Sequence, residues 1–324
     1  MKNLKLFLCL CLMVFLTSSM VFAGTVTTTG SGNWNSTTPD APWPGGNLPT
    51  SSDDVIIADG HTVSLDGANL WTITSLTIGQ GNSGVLNYAA SATAANSLTI
   101  TGNLTLSAGA QFVLGSLPSV QPNVYLGGNL DVGNAATFDH GSGSSKGVIF
   151  NFNNSTGGVD QTITQTGTPT TYQFNKIVVN RPNITDRVVC NCSIKMKGGN
   201  ASMALTKGTF EQIAGTLEQT STTATNMNLG TANGVLKITG SGNLLCTSSI
   251  VGAGGSNGSD AAIVINTTGT FTTGNLNSQA RLQNSNTLDI IAGTVNVYGR
   301  FTISAAATIS GGSINVDPQG PLGS

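Results

Sequence analysis

The sequence predicts an all-β chain built as a parallel β-solenoid, of the right-handed β-helix kind, with an N-terminal cap. Three observations predict it. Short strands of period-2 alternation recur along the chain, Gly and Asn stand at the corners between them, and long helix-forming runs of Ala, Leu, Glu, Lys and Arg are absent. Tandem β-sandwiches are the alternative that alternating strands with Gly/Asn turns also allow. Aliphatic positions that align between copies favour the solenoid.

Taken in order, residues 1–23 read as an export signal. Lys2 and Lys5 precede an apolar run from Leu6 to Leu16, and Val21-Phe22-Ala23 supplies small residues at the −3 and −1 positions of a cleavage site after Ala23. The run is shorter than the roughly 20 residues a membrane helix needs. Cys9 and Cys11 lie inside it rather than after a cleavage box, which argues against a lipid anchor. The expected location is therefore secreted, extracellular or at the cell surface, with no membrane span in the mature chain.

That mature chain has 12 − 2 = 10 basic residues against 14 acidic ones, a formal charge of −4. Charged residues make up only 8% of the sequence, against about 25% in an average globular protein. No basic patch suits nucleic acid, so the surface is expected to consist of Thr, Ser, Asn and Gly.

Residues 24–73 form the expected cap. They carry Trp34, Trp43 and Trp71, all of the protein's tryptophans, and the prolines Pro39, Pro42, Pro44 and Pro49. Val55-Ile56-Ile57 and Thr62-Val63-Ser64-Leu65 read as strands joined across a turn at Asp59-Gly60.

Residues 74–317 form the expected solenoid, with irregular loops at about 141–200. At an offset of 26, LTITGNLTLSAGAQF (98–112) aligns with VYLGGNLDVGNAATF (124–138), matching Gly102, Asn103, Leu104, Ala110 and Phe112 to Gly128, Asn129, Leu130, Ala136 and Phe138. VNVYGRFTISAAATI (295–309) fits the same frame. Gly-Asn-Leu recurs at 102, 128, 242 and 274, and Gly-Thr-apolar at 208, 215, 269 and 293. Glycine at a corner permits a positive φ, and the asparagine beside it tolerates the left-handed region and bonds its own backbone. Such a unit buries its apolar face only when stacked on copies of itself. Residues 318–324 read as a tail or a truncation point.

The order GNW (32–34), PWPGGNLP (42–49), DDVIIADGHTVSLD (53–66), SLTIG (75–79) and SLTITGNLTL (97–106) resembles the opening of bacterial secreted repetitive parallel β-helix surface proteins. It is also similar to the glycine-rich domain family named for its eight conserved glycines. The resemblance covers residues 30–140 and rests on structural motifs, so it implies a secreted β-helix rather than a reaction. Relatives of this kind are often large surface proteins with C-terminal sorting modules, which this sequence lacks.

Chemistry-bearing residues are sparse. Cys190 and Cys192 are two apart on one strand face, and either can form a disulfide with Cys246 or all three can be small buried hydrophobes. A metal site would need further ligands nearby. His61 reads as a turn residue. Asp139-His140 lacks the nucleophile elbow that would make it half of a catalytic pair. Trp34, Trp43 and Trp71, with Tyr88, can stack on sugar rings or plug the end of the solenoid. Asp186-Arg187 with Arg181, Lys195 and Lys197 is the only local charge cluster, in the irregular stretch where a stack can host a site.

The expectation is thus a non-catalytic structural or adhesive surface protein that needs no cofactor or metal and contacts a matrix, glycans or other surface proteins. One alternative is a carbohydrate-active β-helix enzyme of the lyase or glycoside hydrolase type, which three or more charged side chains gathered in a groove would favour. Another is a filament subunit that self-associates through the solenoid ends.

Overall fold

A computed structural model describes residues 24–89, 92, 96–115, 121–141, 147–198, 202–219, 226–229, 233–247, 249–251, 262–274, 282–284, 287–303 and 306–316. The expected signal (1–23), most of the Gly141–Gly147 loop and the tail 318–324 lie outside them. The chain is a parallel β-solenoid whose coil has three faces, here called A, B and C.

Each face is a ladder of parallel strands with one inward residue stacked on the next. On face A the inward column runs Val55, Leu76, Leu104, Leu130, Ile163, Cys190, Gln212, Ile238, Ile265, Ile290 and Ile309. On face B it runs Val63, Leu86, Phe112, Phe138 and Tyr172, and then continues from Phe174 through Met196, Gln219, Cys246, Thr273 and Val297 to Val316. Face C begins at Trp71 and passes through Leu98, Val124, Phe150 and Ile177 to Met203. A bond from Leu205 N–H to Leu229 C=O carries it on to Met227, Ile250, Leu282 and Phe301. Alternation with period 2 places these residues, most of them apolar, inside and their largely polar neighbours outside, while Ile309 and Val316 of the last coil are 56% and 48% exposed. A parallel stack covered only by its own coils needs this continuous apolar interior.

The 26-residue offset is the register itself. Leu98 lies on Val124, Leu104 on Leu130, and Phe112 on Phe138. The segment 295–309 has the same strand–corner–strand pattern but is turned by one face. Val295 is on face B and Phe301 on face C, where the aligned Leu98 and Leu104 occupy C and A.

Gly274 takes the positive φ expected of a Gly-Asn corner, at +80°, but the corners at 102 and 128 work differently. Gly102 and Gly128 are not needed for a positive φ. They let successive coils touch, since a Cβ on Gly128 would stand 2.4 Å from the carbonyl carbon of Gly102. The asparagine bonds the next coil rather than its own backbone: Asn103 Oδ1 accepts from Asn129 N–H at 2.9 Å, and Asn129 Oδ1 from Thr162 N–H at 2.8 Å.

Residues 24–73 already contribute strands to this stack. Thr25–Thr27 pairs with Asp54–Ile57, and Gly32–Asn33 with Thr62–Leu65. Trp34 and Trp43 pack edge to face at 5.0 Å, with the Trp43 indole N–H donating to Trp34 C=O at 2.6 Å. Trp34 also contacts Trp71, the first inward residue of face C, at 6.0 Å. Their exposures of 1%, 0% and 8% leave no ring face for a sugar, and Tyr88 is equally buried. The stacking-platform expectation therefore gives way to a packing role at the start of the core.

Candidate functional site

The charge cluster expected around residues 181–197 is divided by the fold between the interior and two outer faces. Arg181 and Asp186 lie in the turn between face-C strand Lys176–Asn180 and face-A strand Arg187–Cys190. Arg181 points inward, 2% exposed, and donates to Gln161 Oε1 and Val159 C=O. Desolvation pulls its pKa below the usual guanidinium range. The Asp186 carboxylate accepts from the backbone N–H groups of Gly158 and Asn183, each at 2.9 Å, and the Gly158 bond leads the causes that lower its pKa. Both residues fasten the turn.

Arg187 stands outside on face A, 2.5 Å from Asp160 and 2.9 Å from Glu211, and Thr239 donates to the far oxygen of Glu211 at 2.8 Å. The hydrogen bond from Arg187 holds the Asp160 pKa below the usual carboxylate range. This closed network has its polar groups turned on one another.

Lys195 and Lys197 belong instead to face B, in a depression of about 440 Å³ lined by Gln165, Thr168–Gln173, Ser193–Lys195, Lys197 and Glu218. The depression arises because the coil narrows. On face B the coil holding residues 161–174 lies 34 residues after the one beneath it, pairing Tyr172 with Phe138. The next follows after only 22, pairing Lys195 with Gln173. The shorter coil cannot reach around the longer one. Face-A strand Gln161–Thr166 is covered only over residues 161–163. Face-B strand Thr171–Phe174 is covered only over residues 173–174. Residues 164–172 therefore overhang as a ledge, and the next two coils form a floor carrying Lys195 and Glu218.

On that floor Lys195 Nζ is 3.5 Å from Glu218. Among the described residues Lys197 has no carboxylate within ion-pair reach. The Tyr172 hydroxyl donates to Thr164 C=O at 3.3 Å, tying the ledge across its own corner.

Among the described residues Cys190, Cys192 and Cys246 form no disulfide. Cys190 and Cys192 lie 4.0 Å apart, sulfur to sulfur, in the core, and the Cys190 hydrogen bond and burial push the Cys192 thiol pKa up. Cys190 is on face A and Cys246 on face B, so the suggested bridge between them does not form and each packs as a small buried hydrophobe. Asp139 and His140 make no catalytic pair. Asp139 caps the Gly141 N–H at 2.9 Å, while His140 lies inside among Phe112, Phe138 and Phe150. No three His, Cys, Asp or Glu side chains gather into a metal site among the described residues. No helix there is long and apolar enough to cross a membrane.

No family model, curated protein or solved structure matches this chain. The depression thus stands on its own geometry. The sequence pointed to Lys195 and Lys197 but not to Gln165, Gln173, the ledge or Glu218. The one signal for these is the change in coil length, visible only once strands are paired.

Proposed function

We propose that the chain is a non-catalytic extracellular surface protein, a rigid weakly charged rod that contacts a matrix, glycan or cell surface. The observation that carries this reading is the chemistry of the outer faces. Their outward columns are mostly Thr, Ser and Asn, and most charged groups on faces A and B engage a neighbour. Asp131 accepts from Thr164 at 2.8 Å and from Thr166 at 3.0 Å, Arg187 joins Asp160 to Glu211, and Lys195 meets Glu218. Such a surface resists charge-driven collapse and offers hydroxyls and amides along its length. Export through the 1–23 segment and the likeness to secreted β-helix proteins belong to the same proposal. A whole-cell and glycan-array binding assay on the purified protein tests it. Saturable binding without turnover is expected, and failure to bind any surface or glycan would refute it.

The second reading, a carbohydrate-active enzyme, draws support from Lys195, Lys197 and Glu218 sharing one depression. A hydrolase of the usual type needs two carboxylates about 5–10 Å apart. Glu218 alone lines this depression among the described residues, and it is tied to Lys195. Release of new reducing ends or of unsaturated products from acidic polysaccharides would establish catalysis.

A further inference from the structure

The depression on face B combines three features. It has a ledge, residues 164–172, whose upper edge is covered by no strand among the described residues. It has two side-chain amides, Gln165 and Gln173, which can each donate and accept. It also has two ammonium groups against one carboxylate, a local excess of +1 on a chain whose formal charge is −2. Glu218 engages Lys195, which leaves Lys197 as the cation open to an incoming anion. The amides and the unpaired edge suit a ligand rich in hydroxyls. The cation suits a ligand that also carries a carboxylate or sulfate.

We propose that this depression binds a segment of acidic polysaccharide, with one anionic group on Lys197 beside Lys195 and the sugar hydroxyls on Gln165 and Gln173. The inference rests on the reading of the chain as a glycan-contacting surface protein and names the glycan class. The open shape favours a chain passing across face B over an enclosed monosaccharide. With a single unpaired cation, binding should weaken with added salt.

The test is isothermal titration calorimetry of the purified protein with hexagalacturonate, its methyl-esterified form and heparin, in low salt and at about 0.3 M NaCl. Hexagalacturonate should bind saturably in low salt, and its uncharged ester should bind at least about tenfold more weakly, which is about 1.4 kcal/mol. Lys195→Gln/Lys197→Gln should remove that advantage. Gln173→Glu, which adds a carboxylate beside Lys195, should weaken the acid while leaving the ester unchanged. Arg187→Gln, on face A, should change neither. Tighter binding of heparin, lost in the same variants, would assign the anion as sulfate rather than carboxylate.

Absence of saturable binding to both polyanions, or binding unaffected by the lysine substitutions, would overturn the inference. Whole-cell binding separates the two levels. If cells bind the protein while polyanions do not, the surface reading stands and the depression loses its role. If polyanions bind while no surface does, the reverse holds.

Discussion

Replacing His140 by Leu tests how the core holds an uncharged imidazole. The ring is fully buried, 4.5 Å from Phe112 and 4.2 Å from Phe138 between ring centres, and neither ring nitrogen has a hydrogen-bond partner among the described residues. Desolvation lowers its pKa from 6.5 to about 3. An unfolded chain therefore binds a proton below pH 6.5 that the folded chain refuses until about pH 3, so stability falls as pH drops through that window. At pH 5 the loss is 1.5 pH units times 1.36 kcal/mol, about 2 kcal/mol. The carboxylates with lowered pKa, Asp160 and Asp186 among them, add their own losses only nearer pH 4 and below. Urea unfolding at pH 7 and pH 5 measures the difference. Leu, of similar volume and without polar atoms, should hold or raise stability at pH 7 by about 1–3 kcal/mol. It should also remove about 2 kcal/mol of the pH 7 to 5 decline. A variant that is less stable at pH 7 and keeps the full decline would refute this account of the site.

Trp43→Ala should cost about 3–5 kcal/mol in urea unfolding, because it empties a fully buried site and removes the bond to Trp34. At temperatures where the variant remains folded, hexagalacturonate binding should be unchanged, since no tryptophan lines the depression. Gly79→Ala should destabilise the protein more than an ordinary surface change, whose effect is within about 0.5 kcal/mol. Gly79 has φ +76°, and a Cβ there would stand 1.9 Å from Ser83 C=O. Thermal unfolding that leaves Gly79→Ala at the wild-type midpoint would contradict this reading of the corner.

Much of the coil was legible because corner and interior constrain sequence in the same places. Two coils stack closely at Gly102 and Gly128 only without side chains, and the cross-coil Asn103 bond needs a short side chain with an acceptor oxygen at that position. Both therefore recur with the inward Leu104 and Leu130. The face of a segment was not legible. The Gly-Asn-Leu glycine stands between faces C and A at 102 and 128 but between A and B at 242, so one motif serves different corners. This is why residues 295–309 aligned while lying one face away. The depression was half legible. Lys195 and Lys197 stood out as charges in a weakly charged chain, but the ledge depends on unequal coil lengths on face B, 34 residues and then 22, which no local pattern encodes. Exposure of the tryptophans was not legible either, since the same residues serve a platform or a core.

The in-register parallel coil is tested most directly by cysteine pairs across face A. Thr77 and Thr105 point outward on adjacent coils and are register partners, while Asp131 is the partner of Thr105 one coil further on. Adjacent strands lie about 4.8 Å apart, within reach of a disulfide, and strands two apart lie about 10 Å apart, beyond it. Oxidation followed by mass spectrometry should show a Thr77→Cys/Thr105→Cys cross-link and none for Thr77→Cys/Asp131→Cys. Equal cross-linking of the two pairs, or of the second alone, would contradict the solenoid register.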